Sequence, residues 1–176
     1  MSKTLKTGWH VLYVKSCQEK KVHQLLQENQ LESFLPMIKT IRQWSDRKKV
    51  INKPLFPSYV FVNINSSLEF HKALSIKGAC SFIHFGRELA LATDKEIEQI
   101  KVLVGHRDIS NIESGIRNPK IGEKRIINIG ALRGLECEVL KVNNKNKIIV
   151  FIESLQQNIT ATISKSYLSE ISLCIG

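Results

Sequence analysis

The clearest pattern lies at Ser58–Ile64, where Tyr59, Phe61 and Asn63 point one way and Val60, Val62 and Ile64 the other. The β-branched side suits a packed core. The opposite side sets two aromatic rings next to each other. It reads either as a binding surface or as a second buried face, and periodicity alone favours burial on both sides. Pro54 and Pro57 fence the turn before this strand. Trp9–Val14 alternates in the same way: Trp9, Val11 and Tyr13 against His10, Leu12 and Val14. Between the two, Val22, Leu25 and Leu26 form the stripe of a helix from about Gln18 to Gln30. Ser16 and Glu19 stand at capping-box spacing before it. Ser33–Trp44 is extended, since Pro36 bars a helix interior. Ser45 and Asp46 then turn the chain back. A short helix is predicted over Leu68–Ser75, a strand over Cys80–Phe85 after the Gly78 turn, and a third helix after Thr93. That last helix has Glu96 at a second capping-box position and buries Ile97, Ile100 and Val104.

Beyond it the pattern changes. Residues 107–119 carry isolated apolar positions among Ser110, Asn111, Ser114, Gly115, Asn118 and Pro119, and read as a linker and domain boundary. Short strands follow: Lys124–Ile129, Glu136–Val142, Lys147–Glu153 and Asn158–Ile163, with Tyr167 and Leu168 opening a closing strand towards Ile171. So many strands in so little chain suggest a small β-barrel. The expected division is 1–106, a linker at 107–119, and a barrel domain at 120–176.

Composition adds a functional hint. The 176 residues carry a formal charge of +10, with a pI near 9.6, which points to nucleic acid or, less often, an anionic membrane surface. No apolar run approaches the roughly 18 residues of a membrane span. No apolar segment follows the N-terminal lysines as a signal peptide requires. Cys17, Cys80, Cys137 and Cys174 stand singly, which argues against zinc or a disulfide framework and fits a reducing cytoplasm. The five histidines lie in separate elements, and no nucleophile, phosphate-loop or dinucleotide motif is present. The expectation is a protein that is not an enzyme and uses neither cofactor nor metal.

Two basic groups are candidates for phosphate contact. Lys15, Lys20, Lys21 and Gln24 gather at the first strand end and the helix start. On the residues alone, an ordinary solvated helix face is the favoured reading. Arg47, Lys48 and Lys49 sit just past the hairpin tip, near Arg42 and Lys53. Here polyanion contact and simple edge solubility are evenly matched.

The order of motifs carries a resemblance. Trp9-His-Val-Leu-Tyr-Val14, Glu19-Lys-Lys-Val22, Pro54-Leu-Phe-Pro-Ser-Tyr-Val-Phe-Val62 and Gly78-Ala-Cys-Ser-Phe-Ile-His-Phe-Gly86 closely resemble the N-terminal domain of NusG-type transcription elongation factors. Lys120-Ile-Gly-Glu123 through Gly130-Ala-Leu-Arg-Gly-Leu-Glu136 resembles that family's KOW domain, although Cys137 stands where a third glycine is usual. The likeness runs from about Gly8 to Ile171. The segment Arg42–Lys49 is most similar to the specialised antiterminators, RfaH and the UpxY-type regulators.

The resemblance implies an α+β protein: an N-terminal α/β sandwich with an antiparallel sheet, a linker, and a C-terminal KOW β-barrel. It implies operon-specific antitermination, with Phe56, Pro57, Tyr59 and Phe61 on the β′ clamp helices of RNA polymerase. The β gate loop is a further candidate contact. Lys15, Lys20, Lys21 and Gln24 would meet non-template DNA, with Arg47, Lys48 and Lys49 as further nucleic-acid contacts. The KOW domain would bind Rho or a small-subunit ribosomal protein. It can refold as a helical hairpin in RfaH, but β-branched runs such as Ile148-Ile149-Val150 favour strands here. The alternatives are a general elongation factor of the same family, or a KOW-type ribosome- or RNA-binding protein.

Overall fold

A computed structural model describes residues 6–107, 109–116, 123–127, 132–142, 145–163 and 171–173. In chain order its elements are β1 (Gly8–Val14), α1 (Glu19–Glu28), β2 (Ser33–Phe34), β3 (Met37–Gln43), β4 (Lys48–Pro54) and β5 (Tyr59–Ile64). Next come α2 (Ser67–Ser75), β6 (Ala79–Phe82), β7 (His84–Phe85), β8 (Glu88–Leu89), β9 (Leu91–Ala92) and α3 (Asp94–Gly105). The last stretch holds β10 (Ser110–Ile116), β11 (Glu123–Ile127), β12 (Glu136–Val142), β13 (Lys145–Ile152), β14 (Gln157–Ile163) and β15 (Ile171–Leu173). They fall into two compact units, one from the residues up to Pro36 and Phe56–Lys95, the other from Met37–Leu55 and the residues from Glu96 on.

The first unit is built on an antiparallel sheet in the order β2-β5-β1-β6, with β9 also paired to β1. Antiparallel register sets Trp9 opposite Asn63, Val11 opposite Phe61 and Tyr13 opposite Tyr59. The aliphatic side of β5 is core, as alternation requires: Val60, Val62 and Ile64 are fully buried. On the side of β1 that carries His10, α2 contributes Phe70, stacked on Phe82 at 4.4 Å between ring centroids, with the His10 ring edge-on to both. Ser66 caps α2 by accepting from the Glu69 amide, and Glu69 accepts from the Asn65 amide in return.

The capping box expected at Ser16 does not form. Cys17 takes a left-handed backbone (φ 63°), Gln18 becomes the N-cap residue, and no side chain caps α1. Glu19 instead accepts a 2.8 Å hydrogen bond from the Ser58 amide and is buried. It thereby ties the helix start to the turn before β5.

In the second unit, β3 and β4 form a two-stranded antiparallel hairpin, and six strands form a sheet in the order β10-β14-β13-β12-β11-β15. Ile148, Val150 and Ile152 of β13 and Ile159, Ala161 and Ile163 of β14 are buried, one alternate set per strand. Leu103, fully buried, takes the inward position of α3 assigned from the sequence to Val104. The chain is therefore a mixed helix and strand protein with antiparallel sheets. The stretch 107–119 is not simply a linker: residues 110–116 form β10, paired along β14 from Ser110↔Thr162 to Ile116↔Gln157. Ladder hydrogen bonds from a distant strand hold it, so it needs no dense apolar pattern of its own. Among the described residues β10 and β15 are the ends of the ladder. The expected Tyr167–Leu168 strand start and the Gly130 turn lie outside the described residues.

Candidate functional site

The open part of the first sheet is where β1 ends and β5 begins. Tyr13 and Tyr59 are opposite one another in register, with ring centroids 5.9 Å apart and planes tilted by 56°. Tyr13 is 40% exposed, Tyr59 half-buried, and Pro57 exposed beside them. The backbone is pinned here. The Val14 amide donates to the Ser58 carbonyl at 2.9 Å, and the Ser58 amide donates to Glu19. Ser58 itself has φ 66°, a left-handed turn that aims Tyr59 into the strand.

Phe56 and Phe61, expected on this surface, are sealed in the core. The two-residue strand β2 lies against β5 and puts Phe34 directly opposite Phe61, with centroids 6.1 Å apart. Phe56 meets Phe61 edge-on at 6.1 Å. Phe34, itself half-buried, and Phe56 thus cover the Phe61 ring, while Tyr13 and Tyr59 stay partly open at the end of that face. Tyr13, which the sequence reading does not include among the candidates, joins Tyr59 at this surface. Its place on the Trp9/Val11/Tyr13 side was legible, but its meeting with Tyr59 depends on the register of two strands.

Lys15, Lys20, Lys21 and Gln24 all lie at the surface of the same unit. Lys15 follows β1, and its amide donates to the Gly78 carbonyl at 2.9 Å. Gln24 donates its amide to Glu28 at 2.8 Å, which commits it to its own helix. His23 bonds through Nδ1 to Ser33 Oγ at 2.8 Å, and burial lowers its pKa below 6.5, so at neutral pH it adds no charge.

Arg47, Lys48 and Lys49 are exposed on the hairpin of the second unit. The Trp44 amide donates to the Arg47 carbonyl at 2.8 Å and closes its turn. Register pairs Arg42 with Lys49 and Gln43 with Lys48. Among the described residues no group of His, Cys, Asp or Glu side chains could hold a metal ion, and no helix is long and apolar enough to cross a membrane. Cys137 is buried in β12, and burial pushes its thiol up to about 12, which keeps it an inert core residue.

Comparison with known proteins gives this arrangement a family. The profile described as "Transcription termination factor nusG" matches residues 7–101, more than half of the chain. Among solved structures, "Domain interaction in Thermotoga maritima NusG" is similar over 96% of this chain and 98% of that one, at 20% identity and a TM-score of 0.52. The MjSpt4:Spt5 complex in conformation A aligns over 93% of this chain and 96% of that one, at 13% identity and a TM-score of 0.32. The profile match identifies the protein: it belongs to the NusG family of transcription factors.

Proposed function

We propose that this protein is an operon-specific antitermination factor that docks on RNA polymerase and suppresses pausing and termination. The observation that carries the reading is the Tyr13–Tyr59 pair, left open at the end of a sheet whose neighbouring rings are core. Two fixed aromatic side chains beside Pro57 suit an anchor on the polymerase β′ clamp helices, with the β gate loop as a second contact. Lys15, Lys20 and Lys21 would meet the non-template strand, adding affinity that weakens with salt. The basic hairpin favours a specialised factor over a general elongation factor. The C-terminal sheet is read as a KOW module that contacts Rho or a small-subunit ribosomal protein.

The test is polymerase retention by the wild type and by Tyr13→Ala/Tyr59→Ala. Loss of roughly ten-fold or more in affinity is expected from two anchor residues. Equal retention by a folded double variant overturns the docking face. Polymerase occupancy across the genome separates the two family roles, since signal on most transcribed genes would favour the general factor.

A further inference from the structure

The β3–β4 hairpin carries more positive charge than solubility explains. Residues 37–54 hold six cations, Lys39, Arg42, Arg47, Lys48, Lys49 and Lys53, against one acid, Asp46. All six cations are exposed. Arg42 and Lys49 are direct cross-strand partners, an arrangement that destabilises a strand pair unless an anion lies between the two charges. Lysines alone can keep a strand edge soluble, but that does not call for two cations facing one another. The hairpin opposes Lys48 with Gln43, Lys39 with Asn52 and Lys53 with Ile38.

Trp44 adds the second element. It lies two residues beyond Arg42 and is 52% exposed. The Arg42 guanidinium sits over its ring, 5.6 Å from the centroid. The guanidinium lies over the indole, and about half of the residue remains open to solvent, so the ring is available to a flat group. Arg42, Lys49 and Trp44 therefore combine two phosphate-binding cations with one stacking platform.

We infer that the hairpin binds one strand of nucleic acid, with an unpaired base stacked on Trp44 and neighbouring phosphates held by Arg42, Lys49 and the tip cations. This rests on the reading of Arg47, Lys48 and Lys49 as nucleic-acid contacts and extends it to a class of ligand. A duplex hides its base faces and cannot use the indole, so the hairpin selects single strands. Stacking is tolerant of sequence, because every base has a π face. The site supplies affinity and strandedness, not a sequence code.

The oligonucleotide titrations use the full chain without polymerase, so they are independent of the tyrosine docking face; polymerase retention is measured separately. Labelled 15-mers of dT and rU and a DNA duplex of equal length are titrated against wild type, Trp44→Ala, Trp44→Phe and Arg42→Gln/Lys49→Gln. Of the two tryptophans, Trp9 is buried, so quenching of indole fluorescence reports on Trp44. Expected are quenching by a single strand, and weaker affinity for duplex. Trp44→Ala should bind about 5- to 150-fold more weakly, the range measured for one stacked base. Trp44→Phe should stay close to wild type. The dT and rU arms tell whether DNA or RNA is the better strand. Unchanged affinity in a folded Trp44→Ala variant, absence of quenching, or preference for duplex overturns the inference. Loss of polymerase retention by Trp44→Ala with oligonucleotide binding intact would assign the hairpin to a protein partner, and equally overturns it. The Tyr13→Ala/Tyr59→Ala variant should bind the oligonucleotides normally, which separates failure here from failure of the docking face.

Discussion

Gly78 sets the junction on which Lys15 and the start of α1 depend, and its replacement by alanine isolates that dependence. Its φ of 101° is one that L side chains rarely adopt. A Cβ there would lie 2.6 Å from Gln18 Oε1 and 2.9 Å from Val22 Cγ2. The Gln18 amide can swing away, but Val22 is fully buried and cannot. Backbone strain of about 1–3 kcal/mol adds to an overpacking penalty of about 1–3 kcal/mol. Gly78→Ala should therefore lose about 2–6 kcal/mol, a large share of the roughly 5–15 kcal/mol that holds a domain together. Gly86→Ala is the internal control. Gly86 also has positive φ, 61°, but a Cβ there meets nothing within 4 Å. It should lose only about 1–2 kcal/mol, the left-handed penalty by itself. Urea unfolding of both variants, followed by circular dichroism, gives the comparison. If the two differ by less than about 0.5 kcal/mol, close packing of Gly78 against α1 is refuted as the larger part of the effect.

Other outcomes follow from the same geometry. Phe61→Ala should destabilise by about 3–5 kcal/mol, as for a core phenylalanine, and show its effect in chemical denaturation before any docking assay can be interpreted. His10 and His23 both have pKa values lowered from 6.5 by burial, so below 6.5 the unfolded chain binds more protons than the folded one. Stability should be full above about pH 6.5 and fall as the pH drops below it, which denaturation at pH 7.5 and pH 5 will show. With its thiol near 12, Cys137 should resist a thiol reagent at pH 8 in the native protein, while exposed Cys17 and Cys80 react; peptide mapping reads this directly.

Much of the architecture is legible in local pattern, and the misses share one cause. Alternation in Trp9–Val14 and Ser58–Ile64 marks both central strands and assigns each side chain a face. It does not say what covers that face. Ser33–Phe34 is too short to announce itself as a strand, yet it brings Phe34 onto Phe61 and removes Phe61 from the surface. Residues 110–116 look like a linker because their ladder partner is some fifty positions away, Ser110 against Thr162. The Ser16 capping box fails because Cys17 turns left-handed and the helix starts after Gln18. The hairpin, by contrast, was readable as a basic projection, since turn residues and charges are local signals. Its stacking ring was not, because the place of Trp44 beside Arg42 is a matter of side-chain position.

The tyrosine pair occupies strands whose other residues hold the first unit together. A substitution that repositions Tyr13 or Tyr59 must move backbone shared with Val11, Val60 and Phe61, all fully buried. Change at that surface is therefore constrained by foldability. The β3–β4 hairpin is under less of this constraint near its tip: Ile41 and Val50 are 67% and 61% exposed, so exchanges around them touch little of the fold. The hairpin can therefore change its surface chemistry without a folding cost, whereas the tyrosine strands cannot.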